Sequence, residues 1–266
     1  MDAYVYRNDQ ATLRALEQNV ILRFSAALRQ RFPNTALNES STGFADTTLG
    51  SQDKIFADYL MAANARFALI EFKASFLDIR SEAKKPLRRS LFDHLAVRDD
   101  VLRRCLDFHY ICWGATSYLP ISGSQEEFIE ESELLNHYAL QVAPFMVTKP
   151  RLKKVPDFST TSFLDGFLGA RLVGGSIHRF KTYVNELAAI AGGTQGDAST
   201  LEGMVFAFVP GDVNRPGRYA HGRFRGIDHL ALLLAAKPTA LEYDRQPSHE
   251  PEPDYPNRSN QGMQMS

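Results

Sequence analysis

The chain has 266 residues, 44% of them apolar and 23% charged. Against 31 acidic side chains there are 30 basic ones, a net charge of −1, so global charge gives no support to nucleic-acid binding and any such role must rest on local clusters. Two cysteines, Cys105 and Cys112, exclude a disulfide scaffold, and no Cys/His spacing resembles a structural zinc site.

The length suits one large globular domain, or a core with a substantial extension. Both cysteines read as small buried side chains, in keeping with a reducing compartment. The N-terminus lacks a basic segment followed by an apolar run, and Leu230–Ala236 is far too short to span a membrane. The expectation is a soluble, cytoplasmic protein.

In chain order, residues 11–32 carry Leu13, Leu16, Val20, Phe24, Ala27 and Leu28 at helical spacing, with Asn8 or Asp9 as cap and Pro33 as stop. Residues 34–53 read as loop, with a short strand at 36–39. Ile55–Met61 and Phe67–Ala74 have strand length, and Ala63-Asn64-Ala65-Arg66 between them reads as a hairpin loop. A second helix begins near Pro86, whose missing N–H costs nothing in a first turn, and carries a leucine stripe from Leu87 to Leu106. Phe108–Ala115 reads as a strand. Gln125–Glu133 holds five glutamates and reads as an exposed loop or helix start. Ala139–Val147 reads as a strand interrupted by Pro144. Phe163–Leu172 and Ile177–Ala191 read as helices, Gly192–Gly196 as a connector, Met204–Val209 as a strand, Gly211–Gly226 as a loop and Ile227–Ala236 as a helix. From Tyr243 the sequence has almost no apolar side chains and is expected to be disordered.

A hairpin centred between Asn64 and Ala65 makes residues whose numbers sum to 129 face each other, which sets Asp58 opposite Glu71. Lys73 shares that face, while Ala68, Ile70, Phe72 and Ala74 occupy the other. Two carboxylates held this close repel unless a cation lies between them. Mg²⁺, or Mn²⁺ in its place, takes one or two carboxylates and completes its shell with water and phosphate oxygens. A bound cation can acidify an attacking water, and a nearby ammonium can stabilise the charge that develops on phosphorus. On the first helix, Glu17 falls within the apolar stripe of Leu13, Val20, Phe24 and Leu28, a costly place for a charge unless it is paired or ligates a metal; a snorkelling glutamate is the alternative.

These residues resemble the PD-(D/E)xK nuclease superfamily, the restriction-endonuclease-like fold. The match is Asp58 in "IFADYLM" and Glu71-Phe72-Lys73 in "FALIEFKAS", after a helix bearing an acid and before a helix and a strand. The resemblance implies an α/β fold with an αβββαβ core and a mixed central sheet over residues 5–116. An α/β extension over 117–242 would set specificity, and 243–266 would form a tail. It implies that Asp58 and Glu71 ligate Mg²⁺, that Lys73 assists catalysis, and that Glu17 is the helix-borne acid. The chemistry would be hydrolysis of DNA phosphodiester bonds by a metal-activated water, in restriction, repair or anti-phage defence, with RNA not excluded and a homodimer or a partner subunit as the assembly. Chance alone yields about one such acid-x-lysine triplet in a chain of this composition. A second one, Glu82-Ala83-Lys84, does occur, and the strand context of Glu71 distinguishes the two. Ala57 stands where the family name has proline. The QxxxY helix motif of the RecB-like branch is absent, which speaks against a processive exonuclease.

Between Arg80 and Arg104 eight basic residues face four acids, which makes Lys84, Lys85, Arg88 and Arg89 candidate contacts to a nucleic-acid backbone; a solvated helix face is the plainer alternative. Lys149–Lys154 and the arginines at 215, 218, 223 and 225 are weaker candidates, with Tyr219 and Phe224 for base stacking. The histidines show no paired ligand spacing and read as structural. Gly192–Gly196 lacks the lysine and following Ser/Thr of the P-loop pattern and does not directly join a strand to a helix. Two other functions compete with a nuclease: an inactive nuclease-fold subunit that binds nucleic acid or assembles with partners, and a small-molecule hydrolase in the second half, against which no nucleophile-elbow signature is found.

Overall fold

The computed structural model describes residues 10–38, 43–49, 55–122, 127–169, 173–192, 197–211 and 216–236. The capping residues Asn8 and Asp9, most of the glycine connector, Arg215 and the tail lie outside these. Among the described residues nine strands form one mixed, largely antiparallel sheet. From one edge to the other they begin at Phe158, Glu127, His109, Arg66, Tyr59, Gly43, Glu202 and Arg218, and a strand beginning at Gly175 pairs off that path with the one beginning at Arg66. The α/β expectation holds at this level. Among the described residues, no helix is long and apolar enough to cross a membrane.

The first helix, α1 (Gln10–Asn38), lines up Val20, Phe24, Leu28 and Phe32 four apart, a single buried stripe. It does not stop at Pro33 but runs to Asn38, so no strand starts at 36. An internal proline cannot donate to the carbonyl four residues earlier, here that of Arg29. The Tyr219 hydroxyl donates to that oxygen instead, at 2.5 Å. The polar segment after α1 contains β1 (Gly43–Thr48), read from sequence as loop. Its buried Asp46 accepts hydrogen bonds from Ser25 (2.6 Å), Arg29 (2.8 Å) and the Tyr59 hydroxyl.

The next strands, β2 (Tyr59–Ala63) and β3 (Arg66–Lys73), form the expected hairpin. Tyr59 pairs with Ile70 and Ala63 with Arg66, the register in which partners sum to 129. Asn64 and Ala65 both have positive φ, 50° and 60°, as a two-residue type I′ turn requires. A 3₁₀ segment (Phe76–Lys84), α2 (Pro86–Val97) and α3 (Asp99–Phe108) then carry the chain back, so that β4 (His109–Pro120) lies parallel to β3. The leucine stripe is thus divided between two helices, broken at the extended Arg98, whose guanidinium reaches Asp100 at 2.9 Å. Acids at Asp99 and Asp100 suit the first turn of α3.

The glutamate-rich segment is β5 (Glu127–His137), paired with β4 from Tyr110↔His137 to Pro120↔Glu127. Cross-strand pairing overrides its poor strand propensity. Residues 138–145 are helical rather than extended: α4 (Tyr138–Val142) followed by a 3₁₀ turn, which buries Tyr138, Ala139 and Val142 on one side. The short β6 (Phe158–Ser159), α5 (Thr160–Leu168), β7 (Gly175–Ser176) and α6 (Ile177–Ile190) follow. Then β8 (Glu202–Val209) pairs with both β1 and β9 (Arg218–Arg225), and α7 (Ile227–Ala235) closes the described chain. The loop expected at 211–226 therefore contains a strand.

Apolar side chains fill both faces of the sheet. α1 and α5 cover one face with Phe24, Phe72, Tyr59 and Phe163 in contact, and α2, α3, α4, α6 and α7 cover the other. The boundary expected at residue 116 falls inside β4, and residues beyond it add strands at both ends of the same sheet. β3 accompanies β4 only as far as Lys73↔Trp113, and β6 meets β5 only at Leu134 and Leu135. From Gly114 outward the two strands continue as a two-stranded ribbon.

Candidate active site

Along β3, Phe67 and Leu69 face the α2–α3 layer, so Glu71 and Lys73 point the same way, while Ala68, Ile70 and Phe72 face α1. Asp58 immediately precedes β2. Its carboxylate accepts the Phe72 backbone N–H at 2.7 Å, which pins it across from Glu71 at the end of the hairpin. At the next position of β4, Gly114 leaves room: a Cβ there would lie 2.6 Å from the Ala74 carbonyl oxygen.

Glu71 is wholly buried and meets three cations. Lys73 lies 2.9 Å and Lys85 2.7 Å from one oxygen, and Arg88 lies 3.2 Å from the other. Glu82, also wholly buried, draws on the same three: Lys73 at 3.1 Å, Lys85 at 2.7 Å and Arg88 at 3.4 Å. The Tyr138 hydroxyl donates to Glu82 at 2.8 Å, and its ring lies under the Arg88 guanidinium. Arg88 also donates to the carbonyls of Ile55 and Phe56, both at 3.2 Å, tying α2 to the chain that enters β2. Buried charges are tolerated only when opposite charge and hydrogen bonds compensate them. Here two carboxylates and three cations lie within ion-pair distance of one another, and Tyr138 and the Ile55 and Phe56 carbonyls add hydrogen bonds.

Burial opposes ionisation of Glu71, but Lys73, Lys85 and Arg88 outweigh it and hold the carboxyl well below the usual range. Asp58 behaves oppositely. Burial, then the charge of Glu71, push its carboxyl up to about 8, against smaller opposing effects of Lys73 and the Phe72 N–H. Burial disfavours the charge on Lys73, yet Glu71, Glu82, Asp58 and Glu17 raise its ammonium above its ordinary value. Glu17 lies on α1, over the opposite face of the sheet, and so approaches past the end of β3. Burial raises its carboxyl, and it feels Lys73, Glu71, Lys85 and Glu82.

The structure thus brings Asp58, Glu71 and Lys73 to one place, with Glu17 near enough to feel the charges of Lys73 and Glu71. It adds Glu82 and Tyr138, which sequence reasoning missed; Glu82 belongs to the triplet set aside as coincidence. The available signal was Glu82, Lys85 and Arg88 at three-residue intervals, one side of a helical turn. Of the candidate backbone contacts, Lys84 and Arg89 are exposed and Lys85 is half-exposed, but Arg88 is 1% exposed and stands under the site, not on a solvated face. Lys149, Arg151, Lys153 and Lys154 are exposed. Phe224 is buried and the Tyr219 ring packs on Phe44 and Phe208, so neither is offered for stacking.

Among the described residues, no three His, Cys, Asp or Glu side chains form a cage for a metal. A partial oxygen set such as Asp58 with Glu71 is what Mg²⁺ takes, with water and substrate completing its shell. Asp58 is pinned by the Phe72 N–H and no ion pair engages it among the described residues, so its chemistry suits the ion, whereas Glu71 already shares both oxygens with Lys73, Lys85 and Arg88. The chain was compared with protein-family models, curated proteins and solved structures, and none of them matches it.

Proposed function

We propose that this protein is a Mg²⁺-dependent nuclease of the PD-(D/E)xK type that hydrolyses phosphodiester bonds in DNA. One observation carries the reading: Asp58, held by the Phe72 N–H, stands across the hairpin from Glu71, with Lys73 two residues further on the same face. The order of elements supports it. A helix, three antiparallel strands, a helical crossover and a parallel strand follow one another as the αβββαβ core requires.

In this reading Asp58 and Glu71 would hold the cation, which would supply Lewis-acid stabilisation to the scissile phosphate and lower the pKa of water. Lys73 directs its ammonium at the reacting phosphate and holds Glu71 in place between turnovers. Glu17 adds negative charge at the rim and orients the attacking water. Arg88, from below, fixes the Glu71 carboxylate so that it does not have to reorganise when substrate arrives. Lys84 and Arg89, exposed beside the site, bind flanking phosphates.

A second reading has its own observation. Both oxygens of Glu71 are already engaged by cations, as in a nuclease fold kept as a binding or assembly module. A cleavage screen of duplex and single-stranded DNA and RNA against Mg²⁺ and Mn²⁺, alongside metal titration by calorimetry, separates the two. Cleavage that is lost in Asp58→Asn supports the enzyme. Neither metal uptake nor turnover on any substrate supports the module.

A further inference from the structure

We propose that the ribbon formed by β4 and β5 beyond the sheet is a dimerisation arm, pairing through the outer edge of β4 with the same edge of a second copy of this chain. A two-stranded hairpin standing alone is marginal in water, and this one exposes apolar side chains on both faces. Tyr118 is paired with Ile129 on one face and Leu119 with Phe128 on the other, and all four are between 46% and 65% exposed.

The two edges of the ribbon differ. On β5, Glu130, Glu131 and Glu133 guard the edge with charge, and Arg23 of α1 holds the last two. On β4, no charged residue occurs from Tyr110 through Leu119, and Pro120 at its end limits edge pairing to the residues before it. Past Trp113 its outward N–H and C=O groups meet no further strand among the described residues. Natural edge strands are normally protected by charge, proline or a bulge, and an uncharged, β-favouring edge is a template for pairing.

The charge pattern also selects the occupant. A nucleic acid is repelled by the glutamates on the neighbouring strand, and self-pairing through β5 would oppose glutamate to glutamate. Antiparallel pairing of β4 with β4 about a two-fold axis brings no like charges together across the paired edge. It satisfies both edges at once and stacks Tyr118 and Leu119 against their counterparts.

The test is the mass of the full-length protein in solution by sedimentation or light scattering at micromolar concentration. Wild type is expected at twice the protomer mass. Lysines placed on the edge (Thr116→Lys with Tyr118→Lys) are expected to weaken the dimer at least tenfold, with an unchanged circular dichroism spectrum. A single-cysteine scan from Ala115 to Leu119 keeps the idea falsifiable if that variant fails to fold. Antiparallel partners bring Cα atoms to about 4.5–5.5 Å, within disulfide reach, so at least one position should cross-link to itself on oxidation. Cys105 and Cys112 are buried and do not compete. A monomeric wild type, a dimer indifferent to the lysines, or a scan without self-cross-links overturns the proposal. So does a monomer whose nucleic-acid affinity changes with the lysines, which would make the ribbon a nucleic-acid arm. Each readout is independent of catalysis.

Discussion

Lys73 and Glu71 stand two residues apart on one strand and form a 2.9 Å ion pair in which neither side chain is more than 6% exposed. A pair this deep is structural as well as chemical, and that governs which substitution can test the site. Glu71→Ala removes a carboxylate shared by three cations and is expected to cost about 3–5 kcal/mol, so lost activity would not distinguish chemistry from unfolding. Asp58→Asn is the cleaner probe. Burial already favours a neutral side chain there, and an amide oxygen still accepts the Phe72 N–H. It is expected to lower cleavage at least about 100-fold with little change in melting temperature.

Arg88 supports two carboxylates from beneath. Arg88→Met leaves both short of a partner and should destabilise the fold by about 3–5 kcal/mol, measured by urea denaturation. Glu82→Gln should cost less. The double variant should fall short of the sum by about 0.5–3 kcal/mol, because the two residues share one network. Strict additivity would mean that the 3.4 Å contact carries no energy.

Tyr219→Phe tests how α1 tolerates Pro33. Removing the hydroxyl leaves the Arg29 carbonyl without the donor that stands in for the missing N–H. The expected loss is about 1 kcal/mol, seen as a shift of the denaturation midpoint at constant slope.

Ala65 sits in the turn at φ 60°, a left-handed conformation that costs a residue with a Cβ about 1–2 kcal/mol. It is exposed, so a glycine loses no packing there. Ala65→Gly, which makes the favoured Asn-Gly turn, is expected to raise stability by up to about 1 kcal/mol.

His109 supplies the pH dependence. Its ring stacks on Tyr138 at 4.2 Å and meets the Tyr183 hydroxyl at 2.9 Å. Burial, then the charge of Arg88, push its pKa down from 6.5 to about 3. Between those values the unfolded chain binds the extra proton, so stability rises with pH, is fully present above 6.5, and is lost as pH falls toward 3. The contribution to the slope approaches about 1.4 kcal/mol per pH unit. His109→Phe should flatten that part of the acid limb by this amount, whatever it does to absolute stability.

The sequence was most legible where local signals agreed. Alternating residues on β3 and the short Asn64-Ala65 turn set a register, and that register placed Asp58 against Glu71. Where tertiary partners override local preference the reading failed. β1 looked like loop because its Asp46 is neutralised by Ser25, Arg29 and Tyr59 from distant segments. α1 looked finished at Pro33 because the compensating hydroxyl lies 190 residues away. Glu82 looked accidental because its partners come from a strand, the residue that joins its 3₁₀ segment to α2, and two helices that only the folded chain assembles.

The parallel pairing of β3 with β4 cannot be made by a turn; it needs the helical crossover, which carries Lys85 and Arg88. The site, which includes Tyr138 from beyond β4, is therefore completed only by this long-range closure, among the slower kinds of event in folding. The only tryptophan, Trp113, is the β4 partner of Lys73, so its fluorescence reports that closure. In refolding, the fluorescence change and recovery of activity are expected to follow one time course, with secondary structure forming ahead of both.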